Sequence, residues 1–195
     1  MSPHAGKQHL YLARHGQTVL NAEGRLRGLA NPPLDEVGQA EAAALGLYLQ
    51  NKGVVSVFSS PLTRAVTTAR AIADAVGVEA YADDRFNDRD YGPWTGHVKA
   101  EVIAEFGSVD AAPCVEPVSQ VLARARPALD AVLDQYPEGA VVVVTHDAVI
   151  RPLLRALDPQ VREIAAPTGS VNELLRADGV WSIQAVDLAP STMTG

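Results

Sequence analysis

"HLYLARHGQTVLN", residues 9–21, and "AVVVVTHDAVIRPLL", residues 140–154, share one pattern. In each, a short apolar run stops at a polar step that carries a histidine, His15 in the first and His146 in the second. Runs of five or six apolar residues are short for a helix and suit strands buried on both faces. "HLYLA", 9–13, and "AVVVVT", 140–145, are therefore read as strands, and "VVSVF", 54–58, as a third.

Helical patterns separate them. Asp35 is read as the N-cap of a helix over 36–51. "SSPLTRAVTTARAIADAVG" follows the third strand, with Ser60 capping, Pro61 at the first helical position and Gly77 ending the helix. Val118, Val121, Leu122, Ala125, Leu129, Val132, Leu133 and Tyr136 recur at 3.6-residue spacing, which predicts an amphipathic helix over 118–136 despite Pro127. "DAVIRPLLRAL", 147–157, reads as another helix, with Pro152 in its first turn and Asp147 as its N-cap. "VEAYA", 78–82, is a further short strand, and 97–106 a short helix. "VNELLRA" and "VWSIQAV" read as a closing hairpin joined near Asp178-Gly179. Residues 84–96 are irregular, and 107–117 form a proline-broken loop. Strands alternating with helices imply an α/β layered fold with a mainly parallel sheet. Ligands of such sheets bind beyond the carboxyl ends of the strands, where His15 and His146 stand.

The chain has 195 residues, 47% of them hydrophobic and 20% charged, the composition of one soluble globular domain. Its net charge of −7 argues against nucleic acid and anionic membranes as partners. An anion site must then be a local concentration of arginine. The single cysteine, Cys114, excludes a disulfide framework and a thiolate metal cluster. No run approaches ~20 apolar residues, and the N-terminus lacks a long apolar stretch, so a cytoplasmic location is expected. The sequence leaves the oligomeric state open, a homodimer being one arrangement.

A lone histidine after a strand is ordinarily structural. Here, if the three strands are neighbours, Arg14, His15, Arg64 and His146 converge on one crevice. Helix N-termini near 60 and 147 add partial positive charge and free N–H groups. Together these residues form a cradle for one phosphate dianion. Neighbouring cations disfavour imidazolium and keep a histidine nucleophilic. Arginine forks grip phosphoryl oxygens. A phosphohistidine splits one displacement into two easier ones, and a protonated carboxylic acid must supply the leaving alcohol with its proton.

"RHGQT" with Asn21, "SSPLTRAVTTA", "DRDYGPWTG" and "VVTHDAVIRPLL" occur in that order over residues 10–155. These blocks resemble those of the histidine phosphatase superfamily, in its phosphoglycerate mutase-like branch. The resemblance implies a three-layer α/β/α sandwich with a mainly parallel sheet over 1–195, with residues 84–117 covering the site. It implies a phosphohistidine on His15, no metal and no cofactor, and phosphate binding by Arg14, Arg64 and His146 with Thr18 and Asn21 close by. Asp88 stands four residues before Gly92, where the branch usually has a glutamate as general acid. Asp147 stands where the branch usually has glycine, and where the acid-phosphatase branch places its aspartate donor. Two donors thus stand open; Asp88 is assigned the role. By the same resemblance Arg89, Tyr91 and Lys99 touch a second anionic group, and Arg27 projects into the crevice. Arg151 and Arg155 are expected to be surface charges.

The expected activity is that of a metal-independent phosphomonoesterase acting on a small phosphorylated metabolite. The alternatives are a phosphoglycerate mutase, a phosphoprotein phosphatase or a non-catalytic phospho-ligand module. A mutase must enclose a bisphosphorylated intermediate, yet residues 100–123 contain no Lys or Arg and carry Glu101, Glu105, Asp110 and Glu116. A binding module would normally have lost His15, an arginine or the acid.

Overall fold

The computed structural model describes residues 6–161 and 163–192; the ends of the expected domain, 1–5 and 193–195, and residue 162 lie outside them. Strand β1 (Gln8–Arg14) pairs in parallel with β4 (Ala140–Thr145), and β4 in parallel with β2 (Val54–Ser59). Strand β3 (Ala80–Ala82) extends this parallel set beyond β2. On the other side β5 (Val171–Ala177) runs antiparallel to β1, and β6 (Val180–Leu188) antiparallel to β5. The spatial order is β3-β2-β4-β1-β5-β6. Asp178 and Gly179, both at positive φ (51° and 77°), make the two-residue β5–β6 turn whose twist suits a hairpin.

Every residue of β4 is buried, because its two faces are covered by different layers. Val142 and Val144 join Tyr11, Ala13 and Val57 under α2 (Glu36–Leu49) and α3 (Thr63–Val76), with Leu45, Leu49 and Ile72. Val141 and Val143 join Leu10, Leu12 and Phe58 under α5 (Val118–Gln135) and α6 (Asp147–Leu157), with Leu129, Leu133 and Leu153. The period-2 alternation of a strand divides the valines between two cores. Fully burying one such valine contributes about 1.5–3 kcal/mol. The result is the expected α/β/α sandwich. Among the described residues no helix is long and apolar enough to cross a membrane.

Besides the short helix expected from residue 97, which begins at Lys99, two helix starts differ from expectation. Helix α3 begins at Thr63, not at Pro61; its N-cap is Leu62, and the Ser60 hydroxyl accepts from Leu62 N one turn early (3.3 Å). Residues 60–62 are spent turning the chain away from the sheet edge. Helix α6 begins at Asp147 with His146 as N-cap, so Asp147 is the first helical residue and caps nothing. Pro152 consequently falls in the second turn rather than the first. At the start of α2 the expected cap is present: Asp35 Oδ1 accepts from Gly38 N at 2.8 Å.

Between β3 and α5 the chain leaves the sandwich. It makes short 3-10 turns at Asp84–Phe86 and Gly92–Trp94, then α4 (Lys99–Phe106). Leu26, Tyr91, Val102 and Ala112 form a small core of their own there, with Trp94 and Phe106 packed against it.

Candidate active site

The register of the parallel strands aligns their carboxyl ends. Arg14 pairs with Thr145, and Ser59 with Val144. His15 N donates to Thr145 O (3.1 Å), and Ser60 N to Val144 O (3.0 Å). His15 and His146 therefore leave the sheet side by side, their rings 5.0 Å apart. Both are fully buried, as is Arg64 from the first turn of α3. The helix α1 (Val19–Ala22) follows β1 at once, and the turn between them passes directly beneath α2. A Cβ on Gly16 would lie 2.2 Å from Gly38 O, and one on Gly38 2.1 Å from Gln17 O. Two glycines thus permit the contact that sets the backbone after His15.

The hydrogen bonds fix the state of His15. Its Nδ1 lies 2.6 Å from Gly16 O. A carbonyl can only accept, so Nδ1 carries the proton and Nε2 the lone pair. Nε2 faces Arg64 Nε at 3.3 Å. Burial, then the charges of Arg64 and Arg14, push the His15 pKa well below its ordinary value. Burial and Arg64 do the same to His146. Both rings are neutral near pH 7.

Arg64 is held in a fork. Nη1 donates to Ala30 O (2.7 Å), and Nη2 to Gly28 O (2.9 Å) and Asp88 Oδ2 (2.9 Å). Asp88, 2% exposed, also sits 3.4 Å from His146 Nδ1, outside hydrogen-bonding geometry. Burial raises the Asp88 pKa, against the lowering effect of Arg64 and Arg27. Arg14 Nη1 is docked on Ala166 O (2.5 Å). Several buried polar atoms have no hydrogen-bond partner among the described residues: the donors Arg14 Nε, Arg27 Nε and Asn21 Nδ2, and both His146 ring nitrogens, of which one is a donor in the neutral ring. Buried polar groups are normally satisfied, so such a cluster suits a polyvalent anionic acceptor.

The remaining expected residues divide. Arg27 does enter the site, where its Nη2 bonds Asp147 Oδ1 at 2.6 Å. Thr18 is fully buried and acts on its neighbour: its hydroxyl donates to Asn21 Oδ1 (2.7 Å) and its N–H does the same (3.0 Å). This orients the Asn21 amide and leaves Nδ2 free. Arg89 donates from Nε to Glu116 O and from Nη1 to Asp110 Oδ1, each 2.6 Å, and lines one cleft with Tyr91 and Lys99. Tyr91 and Lys99 line a cleft of about 530 Å³ with Asp147 and Ala148. Arg151 and Arg155 line the same cleft; Arg151 is half-buried and bonds Ala165 O (2.7 Å), so it is more than a surface charge.

Asp147 is ionised. Burial alone would raise its pKa, but Arg14, Arg27, Arg151 and Lys99 outweigh burial and hold it far below the usual carboxylate range. A carboxylate so stabilised has no proton to donate. Burial has the opposite net effect on Asp88, whose pKa is raised.

Sequence reading missed Arg124. From α5 it donates to Asn87 O (2.7 Å) and Asp88 O (3.0 Å) and pairs with Glu116, which pins the backbone carrying Asp88. Thr145 Oγ1 on Phe86 O (2.7 Å) holds the same segment from the sheet side. Neither carries a sequence signal, because each acts on backbone carbonyls brought near only by folding. Among the described residues no group of three or more His, Cys, Asp or Glu side chains is arranged to hold a metal ion.

The family model of the histidine phosphatase superfamily (branch 1) matches residues 10–188. The chain is 36% identical over 160 residues to Bifunctional protein Rv2228c of Mycobacterium tuberculosis, covering 76% of this chain and 44% of that protein. It thus spans less than half the length of that relative. It is 31% identical over 158 residues to Phosphoserine phosphatase 1 of Hydrogenobacter thermophilus, covering 76% and 75% of the two chains. The solved phosphoglycerate mutase of Bacillus anthracis superposes with a TM-score of 0.87 at 22% identity, over 96% of each chain, which shows the shared fold. Paired histidines at adjacent strand ends, arginines around them and a family match over most of the chain lead to one conclusion: this protein belongs to branch 1 of the histidine phosphatase superfamily.

Proposed function

We propose that the chain is a phosphomonoesterase that passes the phosphoryl group of a small phosphorylated metabolite to His15 and then to water. The observation that carries this reading is the His15 ring, whose Nδ1–H is fixed on Gly16 O and whose Nε2 lone pair faces the arginine cradle. Nε2 attacks phosphorus as the P–O bond to the alcohol breaks. Arg14, Arg64, the Asn21 amide and the neutral His146 N–H hold the equatorial oxygens. Neutral Asp88 gives its proton to the departing oxygen. Water then attacks phosphorus, loses a proton to Asp88, and the P–N bond breaks to release phosphate and restore His15. The arginines supply the positive charge, so a metal is not needed. Residues 84–117 cover the site and bring in Asp88.

Hydrolysis is favoured over mutase chemistry by that cover. It carries Asp110 and Glu116, and its residues from 100 onward contain no Lys or Arg to hold a second phosphate. The test is rapid acid quench during turnover of p-nitrophenyl phosphate. An acid-labile, base-stable phosphate should appear on the wild type and be absent from His15→Ala, which should also lose turnover. Chelation with EDTA should leave the rate unchanged. Near-normal turnover by His15→Ala, or EDTA inactivation reversed by a divalent ion, would overturn this reading.

A further inference from the structure

The cradle is flanked by two clefts of opposite charge. One, of about 570 Å³, reaches Asp88 past Asp84, Asp90 and Glu116. Arg124 also lines it but is paired with Glu116, so Asp84 and Asp90 leave an excess of negative charge that opposes a phosphate dianion. The other, of about 530 Å³, is lined by Arg89, Lys99, Arg151 and Arg155, by Asp110, and by apolar groups such as Ile103 and Leu122. The carboxylates of the first cleft leave the second as the place for the organic part of the ester. Asp147 joins it to the cradle: it lines the cleft and pairs with Arg14 and Arg27 of the cradle.

The two oxygens of Asp147 have different surroundings. Oδ1 is committed, 2.6 Å from Arg27 Nη2 and 3.5 Å from Arg14 Nη2. Oδ2 has no hydrogen-bond partner among the described residues; Arg151 Nη2 lies 3.8 Å from it. We propose that Asp147 is a specificity-determining residue that selects phosphomonoesters whose alcohol bears a hydrogen-bond donor, a hydroxyl or ammonium, beside the ester, and rejects those bearing a carboxylate there. This rests on the phosphomonoesterase reading. Oδ2 accepts from the donor as the alcohol passes from cradle to cleft. A carboxylate in the same place would meet Oδ2 oxygen to oxygen with no proton between them, at shorter range than the 3.8 Å to Arg151, and this contact is what disfavours it. It also finds Arg27 already paired.

Two ligands isolate the effect. Glycerol 2-phosphate and 2-phosphoglycerate differ by one hydroxymethyl group in place of one carboxylate, both on the carbon bearing the ester. Their inhibition constants against p-nitrophenyl phosphate hydrolysis can be measured whether or not either is turned over. The wild type should bind glycerol 2-phosphate at least tenfold more tightly. Asp147→Asn keeps the shape and removes the charge, so the ratio should fall to within about threefold. Arg27→Gln strips Asp147 of its nearest counter-charge, so the ratio should rise; this variant carries the test if Asp147→Asn fails to fold. A wild type that prefers 2-phosphoglycerate, an unchanged ratio in folded Asp147→Asn, or a lowered ratio in Arg27→Gln overturns the proposal. A wild type that hydrolyses p-nitrophenyl phosphate without this discrimination refutes the role of Asp147 alone. One inert to p-nitrophenyl phosphate refutes both readings.

Discussion

Replacing Asp88 by asparagine separates proton donation from charge and packing. The side chain is 2% exposed, and Arg64 Nη2 lies 2.9 Å from Oδ2. An asparagine carbonyl can still accept from Arg64, while Gly28 O and Ala30 O continue to hold the guanidinium. Outright loss of one partner of a buried pair costs about 3–5 kcal/mol, and the amide retains part of that. Folding is therefore checked first, by urea denaturation. The catalytic loss depends on the leaving group. An alkyl alkoxide needs its proton in the transition state, and general-acid assistance contributes roughly 10²–10⁴-fold, or about 2.7–5.4 kcal/mol. p-Nitrophenolate needs little help. Asp88→Asn should thus depress kcat on glycerol 2-phosphate by two orders of magnitude or more beyond its effect on p-nitrophenyl phosphate. The pH profile gives a second readout. Burial raises the Asp88 pKa, so the acid form persists above the ordinary carboxyl range and is lost as pH rises through the raised value. Wild-type alkyl phosphatase activity should fall along that limb, and Asp88→Asn should lack it. Equal losses on both substrates, or a leaving-group-selective loss in Asp147→Asn with Asp88→Asn unaffected, would refute the assignment.

Stability should fall as pH drops below about 6.5, the ordinary histidine value, because His15 and His146 are buried neutral with depressed pKa values. The unfolded chain then binds protons that the folded chain refuses, at a slope of up to about 2.7 kcal/mol per pH unit for two groups. Urea midpoints from pH 7 to 5 measure this, and His146→Gln should lose about half of the slope; a flat profile would contradict the buried neutral pair. Gly16→Ala puts a methyl 2.2 Å from Gly38 O, so backbone must move. A cost of about 1–3 kcal/mol is expected, together with a fall in p-nitrophenyl phosphate turnover as the carbonyl that holds His15 Nδ1 shifts; wild-type stability and rate would contradict this.

The layered fold was legible because its signals are local. "AVVVVT" and "LYLA", 10–13, are buried on both faces, and runs of that composition have few alternatives to strands in a layered sheet. Asp178-Gly179 announced its hairpin because that turn requires two residues at positive φ. The ordered blocks around His15, Arg64, Asp88 and His146 identified the family. Helix starts were less legible: Ser60-Pro61 is good capping chemistry, but the exit from β2 needs those residues for the turn, and α3 waits until Thr63. Tertiary structure alone decided the rest. The order β2-β4-β1 brings His15 beside His146, and strands of identical sequence arranged otherwise would separate them. The proton on His15 Nδ1 depends on where Gly16 O points, and that follows from the crossing of Gly16 with Gly38. Asp147 looked like a helix cap in the sequence. It became an ionised partner of Arg14 and Arg27 because electrostatic environment is set by charges far apart in the chain, 133 and 120 positions away, which only folding brings within reach.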